Sequence, residues 1–126
     1  RVAVTSDCRG MGDAMKKLCA GVDVLVHEAT LGCGEGAVGV GSGHSTAEMA
    51  GRAAAEVRAK VLVLTNFSAR TSGRHTFAAA KASEEAAERA ASASDVGAVV
   101  AAHDFMELAV PRGGFDPSEL KRSGAA

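Results

Sequence analysis

Four short apolar runs punctuate the chain: Val2 to Thr5, Val22 to Val26, Val61 to Leu64 and Val96 to Ala101. All are rich in Val, and near-continuous apolar runs of this length read as strands buried on both faces. Helical stretches lie between them. A short helix is predicted around Ala14 to Leu18, with Asp13 as its cap and Gly21 as its stop. A second starts at Ser45 or Thr46 and runs to about Ala59, with Glu48 three residues beyond Ser45 in a capping-box pattern. The third, Thr76 to Ala93, is Ala-rich, and its Lys81, Glu84, Glu85, Glu88 and Arg89 read as a solvated face. The order β-α-β-α-β-α-β predicts an α/β layered fold of alternating strands and helices.

The segment Gly32 to Gly43 interrupts this alternation. It is Gly-rich and precedes a helix, where backbone N–H groups attract anions. It matches neither the P-loop nor the dinucleotide fingerprint, so a flexible loop or insertion is the expectation. From Gly113 the chain holds Gly, Pro, Ser and charges and reads as an extended tail.

Composition alters the picture at a few points. Aromatics make up 3% of 126 residues, so Ala, Gly and Val must fill the core. Small side chains bury little area each, at about 25 cal/mol per Å². A core so built is thin, and the chain is expected to lean on another domain or protein partner. The net charge of −1 gives no compositional sign of nucleic-acid binding. Cys8, Cys19 and Cys33 form no CxxC pair. Their odd number leaves at least one without an intrachain partner, and Cys8 and Cys19, beside or within apolar segments, read as buried free thiols, which fits a reducing compartment such as the cytosol or an organelle interior. No apolar run approaches the roughly 20 residues of a membrane span. Arg1 to Val4 reads as a strand already under way, so the chain is expected to be a processed product or part of something longer.

Each strand ends in polar residues, where open α/β sheets place their sites. The ends are Thr5-Ser6-Asp7, His27-Glu28-Ala29-Thr30, Thr65-Asn66-Phe67-Ser68 and His103-Asp104, and His44 precedes the second helix. Singly, each has an ordinary reading as a turn, cap or internal hydrogen-bonding residue. Together Asp7, Glu28, His44 and Asn66 form an acid, base and amide set at one sheet edge, and a positioned Glu–His pair can relay protons. A catalytic zinc needs three protein ligands, and no HxH, HxxxH or HExxH pattern occurs. Asp7 is the one convincing candidate ligand.

Five ordered segments between residues 2 and 111 resemble ribonuclease Z, a metallo-β-lactamase-fold family that trims tRNA 3′ ends. Thr5-Ser6-Asp7-Cys8-Arg9 resembles its Ser-Gly-Asp-Thr-Arg turn, and His27-Glu28-Ala29-Thr30 matches its HEAT motif. Gly43-His44-Ser45-Thr46 matches the segment that carries His-Ser-Thr. Val63 to Arg70 resembles Leu-Thr-His-Phe-Ser-x-Arg, and Ala102 to Glu107, ending at Val110-Pro111, resembles the closing strand. The resemblance implies half of a metallo-β-lactamase αββα sandwich, with residues 1–112 as its C-terminal half and 113–126 as the tail. It implies zinc as the family's cofactor, Asp7 as a bridging ligand usable only with a partner half, and Glu28 and His44 as a proton relay. The family's HxHxDH motif is absent here, Asn66 stands where the family has a zinc-binding His, and Thr71 stands where it has Tyr. Two expectations follow. One is a split or partial tRNA-processing endoribonuclease that holds no zinc by itself and has RNA as substrate. The other is a non-catalytic subunit of a larger organellar assembly such as a mitochondrial ribosome.

Overall fold

The computed structural model describes residues 1–32, 41–68, 76–92, 94–112, 116–120 and 122–123. The alternating elements predicted from the apolar runs are present. β1 (Val2–Val4), α1 (Asp13–Cys19), β2 (Val24–Glu28), α2 (Ala47–Val57), β3 (Val61–Thr65), α3 (Thr76–Ala91) and β4 (Ala98–Ala101) follow one another in the chain. The strands form one parallel sheet in sequence order, β1-β2-β3-β4. Parallel neighbours require a crossover, and each helix supplies one.

Register sorts the side chains onto two faces. Val2, Val24, Val61 and Ala98 align across the sheet, as do Val4, Val26, Val63 and Val100 two residues further on. The intervening row, Ala3, Leu25, Leu62 and Val99, belongs to the larger core with Ala50, Ala54 and Val57 of α2 and Ala86 and Ala87 of α3. The helices thus cover one face, giving one helical layer on one sheet. Buried positions on α2 recur at Ala47, Ala50, Gly51, Ala54 and Val57, the spacing of a helical stripe. Small residues let α2 and α3 approach closely, which is how a core poor in aromatics still closes.

Burial on both faces holds for the central strand β3, where Val61 to Leu64 are all buried. It fails for β1, whose Val2 and Val4 are 55% and 73% exposed. β1 is an edge strand, and the residues that cover the valine face, Met106, Leu108 and Leu120, pack on Val24, Val61, Val63 and Val100 instead.

Several boundaries differ from the sequence reading. β2 begins at Val24: the N–H of Val22 is used in a turn on the Cys19 carbonyl, and that of Asp23 reaches across to the Arg1 carbonyl ahead of β1. The strand extends to Glu28, because His27 and Glu28 pair with Leu64 and Thr65 of β3 inside the sheet. α1 is capped by Gly12 without a side-chain bond, so Asp13 is its first helical residue. Thr46, not Ser45, caps α2, accepting from Met49 N at 3.3 Å. Glu84 is not on a solvated face: its carboxylate accepts from the backbone N–H of Ala101 in edge strand β4 at 2.6 Å. The other α3 charges named above, Lys81, Glu85, Glu88 and Arg89, are exposed. Among the described residues no helix is long and apolar enough to cross a membrane.

The segment from residue 113, expected as an extended tail, folds back where it is described. Asp116 caps a 3₁₀ turn at Pro117–Glu119, accepting from Ser118 N at 2.8 Å, and Pro at the first position suits such a turn. β6 (Arg122–Ser123) pairs antiparallel with β5 (Glu107–Leu108). Pro117 lies over Gly97 so closely that a Cβ there would sit 2.6 Å from its ring carbons. Gly97→Ala is therefore expected to lift this segment, at a cost of about 1–2 kcal/mol. Limited proteolysis should then cut within residues 112–123 faster, with the far-UV circular dichroism of the sheet unchanged. Equal cleavage of both proteins would refute this docking. The Gly-rich segment lies mostly outside the described residues, as do Cys33, Arg70, Thr71 and His75.

Candidate functional site

Four parallel strands deliver their carboxyl ends to one rim, and the polar residues noted in the sequence sit there. Past β1, Thr5 continues the ladder through its N–H on the Val26 carbonyl at 2.9 Å, and Asp7 follows two residues later. β2 ends at Glu28. β3 ends at Thr65, which accepts from Ala29 N at 2.8 Å, and Asn66 follows with φ of 57°. That left-handed backbone is one Asn tolerates better than most residues. The segment before α2 is drawn to the same rim because Leu31 N donates to the Ser45 carbonyl at 3.0 Å.

Glu28 is the centre of the arrangement. It is 1% exposed, and four groups donate to its carboxylate. Oε1 accepts from Cys8 N at 3.1 Å, Ser45 N at 3.0 Å and His44 Nδ1 at 3.0 Å, while Oε2 accepts from Thr30 N at 3.0 Å. Burial pushes the Glu28 carboxyl upward. The hydrogen bonds from Thr30, Cys8 and His44 together outweigh it and hold the group below the ordinary 4.5. Glu28 is thus a buried, ionised acceptor that clamps three loops. The Ser45 hydroxyl reinforces the clamp, donating to the Cys8 carbonyl at 2.6 Å and accepting from Gly10 N at 2.8 Å.

His44 gives its Nδ1–H to Glu28, which orients the ring and leaves Nε2 for a second partner. Its side chain is partly exposed. Asp7 is exposed at the rim, and its Oδ1 accepts from Asn66 Nδ2 at 2.8 Å. Ligand-capable atoms of Asp7, Glu28 and His44 all lie within 4.8 Å of one another. His27 points elsewhere. Fully buried, it donates Nδ1–H to the Glu28 carbonyl at 2.8 Å, and Nε2 faces Cys8 Sγ at 3.7 Å. Burial depresses its pKa below 6.5, so it is a neutral ring that accepts from the Cys8 thiol. Burial likewise raises the Cys8 thiol above its ordinary range, so this is not an activated nucleophile.

The structure brings together all four residues singled out in the sequence, Asp7, Glu28, His44 and Asn66. His103 does not join them: it is exposed and bonds the Asp104 carbonyl in its own turn. Cys8 differs from its expected role as a buried thiol, being only half-buried, whereas Cys19 is buried. Sequence reasoning missed the backbone donors at Cys8, Thr30 and Ser45. Ser45 had a visible alternative, since a Ser next to a cap-competent Thr is free for other use.

No family model matches the chain. Similar proteins are found among curated sequences and solved structures. Human zinc phosphodiesterase ELAC protein 1 is 38% identical over 117 residues, covering 88% of this chain and 31% of the relative. Ribonuclease Z from Bacillus subtilis is 39% identical over 112 residues, covering 89% and 33%. Among solved structures, the short form of human tRNase Z superposes with a TM-score of 0.62 at 34% identity, covering 87% of this chain and 33% of that one. The metallo-β-lactamase fold protein YhfI from Bacillus subtilis gives a TM-score of 0.63 at 26% identity, covering 80% and 36%. The chain spans about a third of the length of the curated relatives it matches.

Proposed function

The chain belongs to the ribonuclease Z family and has the metallo-β-lactamase fold, and from this premise we propose that residues 1–112 are the C-terminal half of a tRNA 3′-end-processing domain that does not cleave RNA by itself. The observation that carries the reading is the Glu28–His44 pair, a buried carboxylate fixed by four donors with an imidazole bonded to it at 3.0 Å. In such a pair the carboxylate holds Nδ1–H, and Nε2 is the atom that exchanges a proton with a substrate oxygen. A leaving oxygen of a phosphodiester placed at the rim would take its proton there.

Zinc is the metal the family implies. The described residues do not fit it on their own. A zinc site needs three protein ligands, and a two-metal site more. Of the three clustered groups, Glu28 has its carboxylate filled by backbone and imidazole donors, and His44, with Nδ1 on Glu28, has only Nε2 to offer. Asp7 and His44 Nε2 remain, one donor short of three, and Asn66 has a side chain that makes a poor zinc ligand. No metal-dependent step is therefore assigned to this chain. The exposed valines of β1 support a fold completed by further polypeptide, which is also where the missing ligands would come from.

Asn66 favours a second reading, in which the same fold serves as a non-catalytic subunit of a larger assembly such as an organellar ribosome. One experiment separates the two. Incubated alone with precursor tRNA and zinc, the chain should leave it intact. Mixed with a relative's segment carrying HxHxDH, it should restore cleavage that His44→Ala abolishes. If the mixture forms a complex yet cleaves nothing, the enzymatic reading fails. If the chain cleaves alone, the claim of inactivity fails.

A further inference from the structure

We infer that Asn66 has taken the place of a metal ion as the partner of Asp7, so that the loops after β1 and β3 are tied together without metal. The inference rests on the family reading of position 66 and asks what the substitution does. The bond is directional. A carboxylate only accepts, so the nitrogen of the Asn66 amide must face Asp7 Oδ1, as it does at 2.8 Å. The amide oxygen, the one atom of Asn that could ligate a metal, is then turned away from that carboxylate oxygen. Rotating it inward would break the bond to Asp7. The backbone favours the same outcome, since φ of 57° at position 66 carries the amide to the rim at little strain for Asn.

The rest of the rim is also closed by protein donors. Glu28 gathers Cys8, Thr30, His44 and Ser45, and the Ser45 hydroxyl links Gly10 to Cys8. Each loop that a bound metal would cross-link is therefore already cross-linked. The Asn66–Asp7 bond supplies a connection between the β1 and β3 loops that the Glu28 cluster does not make. The chain keeps the geometry of its rim and gives up a metal's role in holding it.

Thermal melts and titration calorimetry of the chain test this without any activity. The unsubstituted chain should melt at the same temperature, within about 1 °C, in chelator and in excess zinc chloride, and should show no stoichiometric heat with zinc. Asn66→Gly removes the amide while keeping the left-handed backbone relaxed, and should lower the midpoint by about 3–5 °C. Asn66→Asp sets two carboxylates against each other. In chelator it should melt lower than the unsubstituted chain, and zinc or manganese should recover the loss. Stoichiometric zinc binding by the unsubstituted chain would overturn the proposal. So would an Asn66→Asp variant as stable in chelator as its parent, because position 66 would then not face Asp7. Neither result depends on RNA cleavage, so this inference and the family's enzymatic reading can fail separately.

Discussion

Glu28→Ala is expected to lower the stability of the chain by about 3–5 kcal/mol, the range for breaking a buried, hydrogen-bonded charge network. The loss comes from the donors left behind. Cys8 N, Ser45 N, Thr30 N and His44 Nδ1 all end on this carboxylate, and an unpaired buried donor costs about 1–3 kcal/mol. A domain of this size is stable by only about 5–15 kcal/mol, so the urea midpoint should fall sharply. Glu28→Gln should lose less. Its one oxygen can serve the three donors at the Oε1 position, but its NH₂ then meets the Thr30 N–H, donor against donor. A Glu28→Ala variant within 1 kcal/mol of its parent would show that the network does not hold the rim.

The pH dependence follows from the same residues. The Glu28 carboxyl lies below its ordinary 4.5 in the fold, so its contribution is complete above that pH and is lost as pH falls through its folded value. His27 is held below its ordinary 6.5 by burial, so the folded chain resists the proton that the unfolded chain accepts. Its contribution is complete above 6.5 and declines below. Stability should therefore fall on acidification, first from about pH 6.5 and again below about pH 4.5. Glu28→Ala should keep the first slope and weaken the second, which Asp23 and Asp116, held below their ordinary 3.8 by hydrogen bonds, still supply in part.

Gly51→Ala is the second large effect, and its sign runs against helix propensity. In an exposed helix interior Ala is better than Gly by about 1 kcal/mol. On α2, however, a Cβ at position 51 would collide with the carbonyl oxygen of Ala87 and lie 2.9 Å from its Cα. Both atoms are backbone of α3, so no rotamer change relieves the contact and the helices must separate. Overpacking of this kind costs about 1–3 kcal/mol, and a backbone clash belongs at the upper end. A net loss of about 2–3 kcal/mol is expected in chemical denaturation. Gly12, where an added Cβ meets nothing within 4 Å, is the control position. A Gly51→Ala chain as stable as its parent would mean that α2 and α3 do not approach as closely as described.

Much of the fold was legible in the chain because its signals are local. Val-rich runs of strand length, separated by Ala-rich stretches of helix length, place every element of the parallel sheet to within a few residues. The motifs at the strand ends are local too, so Asp7, Glu28, His44 and Asn66 could be named from order and spacing. Glu84 was misassigned, and Ser45 left undecided against Thr46 as the cap of α2, for the opposite reason. Each makes its decisive bond to a residue distant in sequence, Ser45 to Cys8 and Glu84 to Ala101, and no local pattern records such a partner.

The sequence by itself therefore determined which segments become strands and helices, and which residue types gather at the sheet's carboxyl edge. Only the tertiary structure decided what those residues do to one another. It put Glu28 inside the sheet, where burial alone would favour its neutral form, and then surrounded it with enough donors to keep it ionised. It also turned the Asn66 nitrogen onto Asp7, which ties the loop after β3 to the loop after β1. Charge state and bond direction depend on distances of about 3 Å between groups far apart in the chain, and those distances exist only once the sheet has aligned its strands.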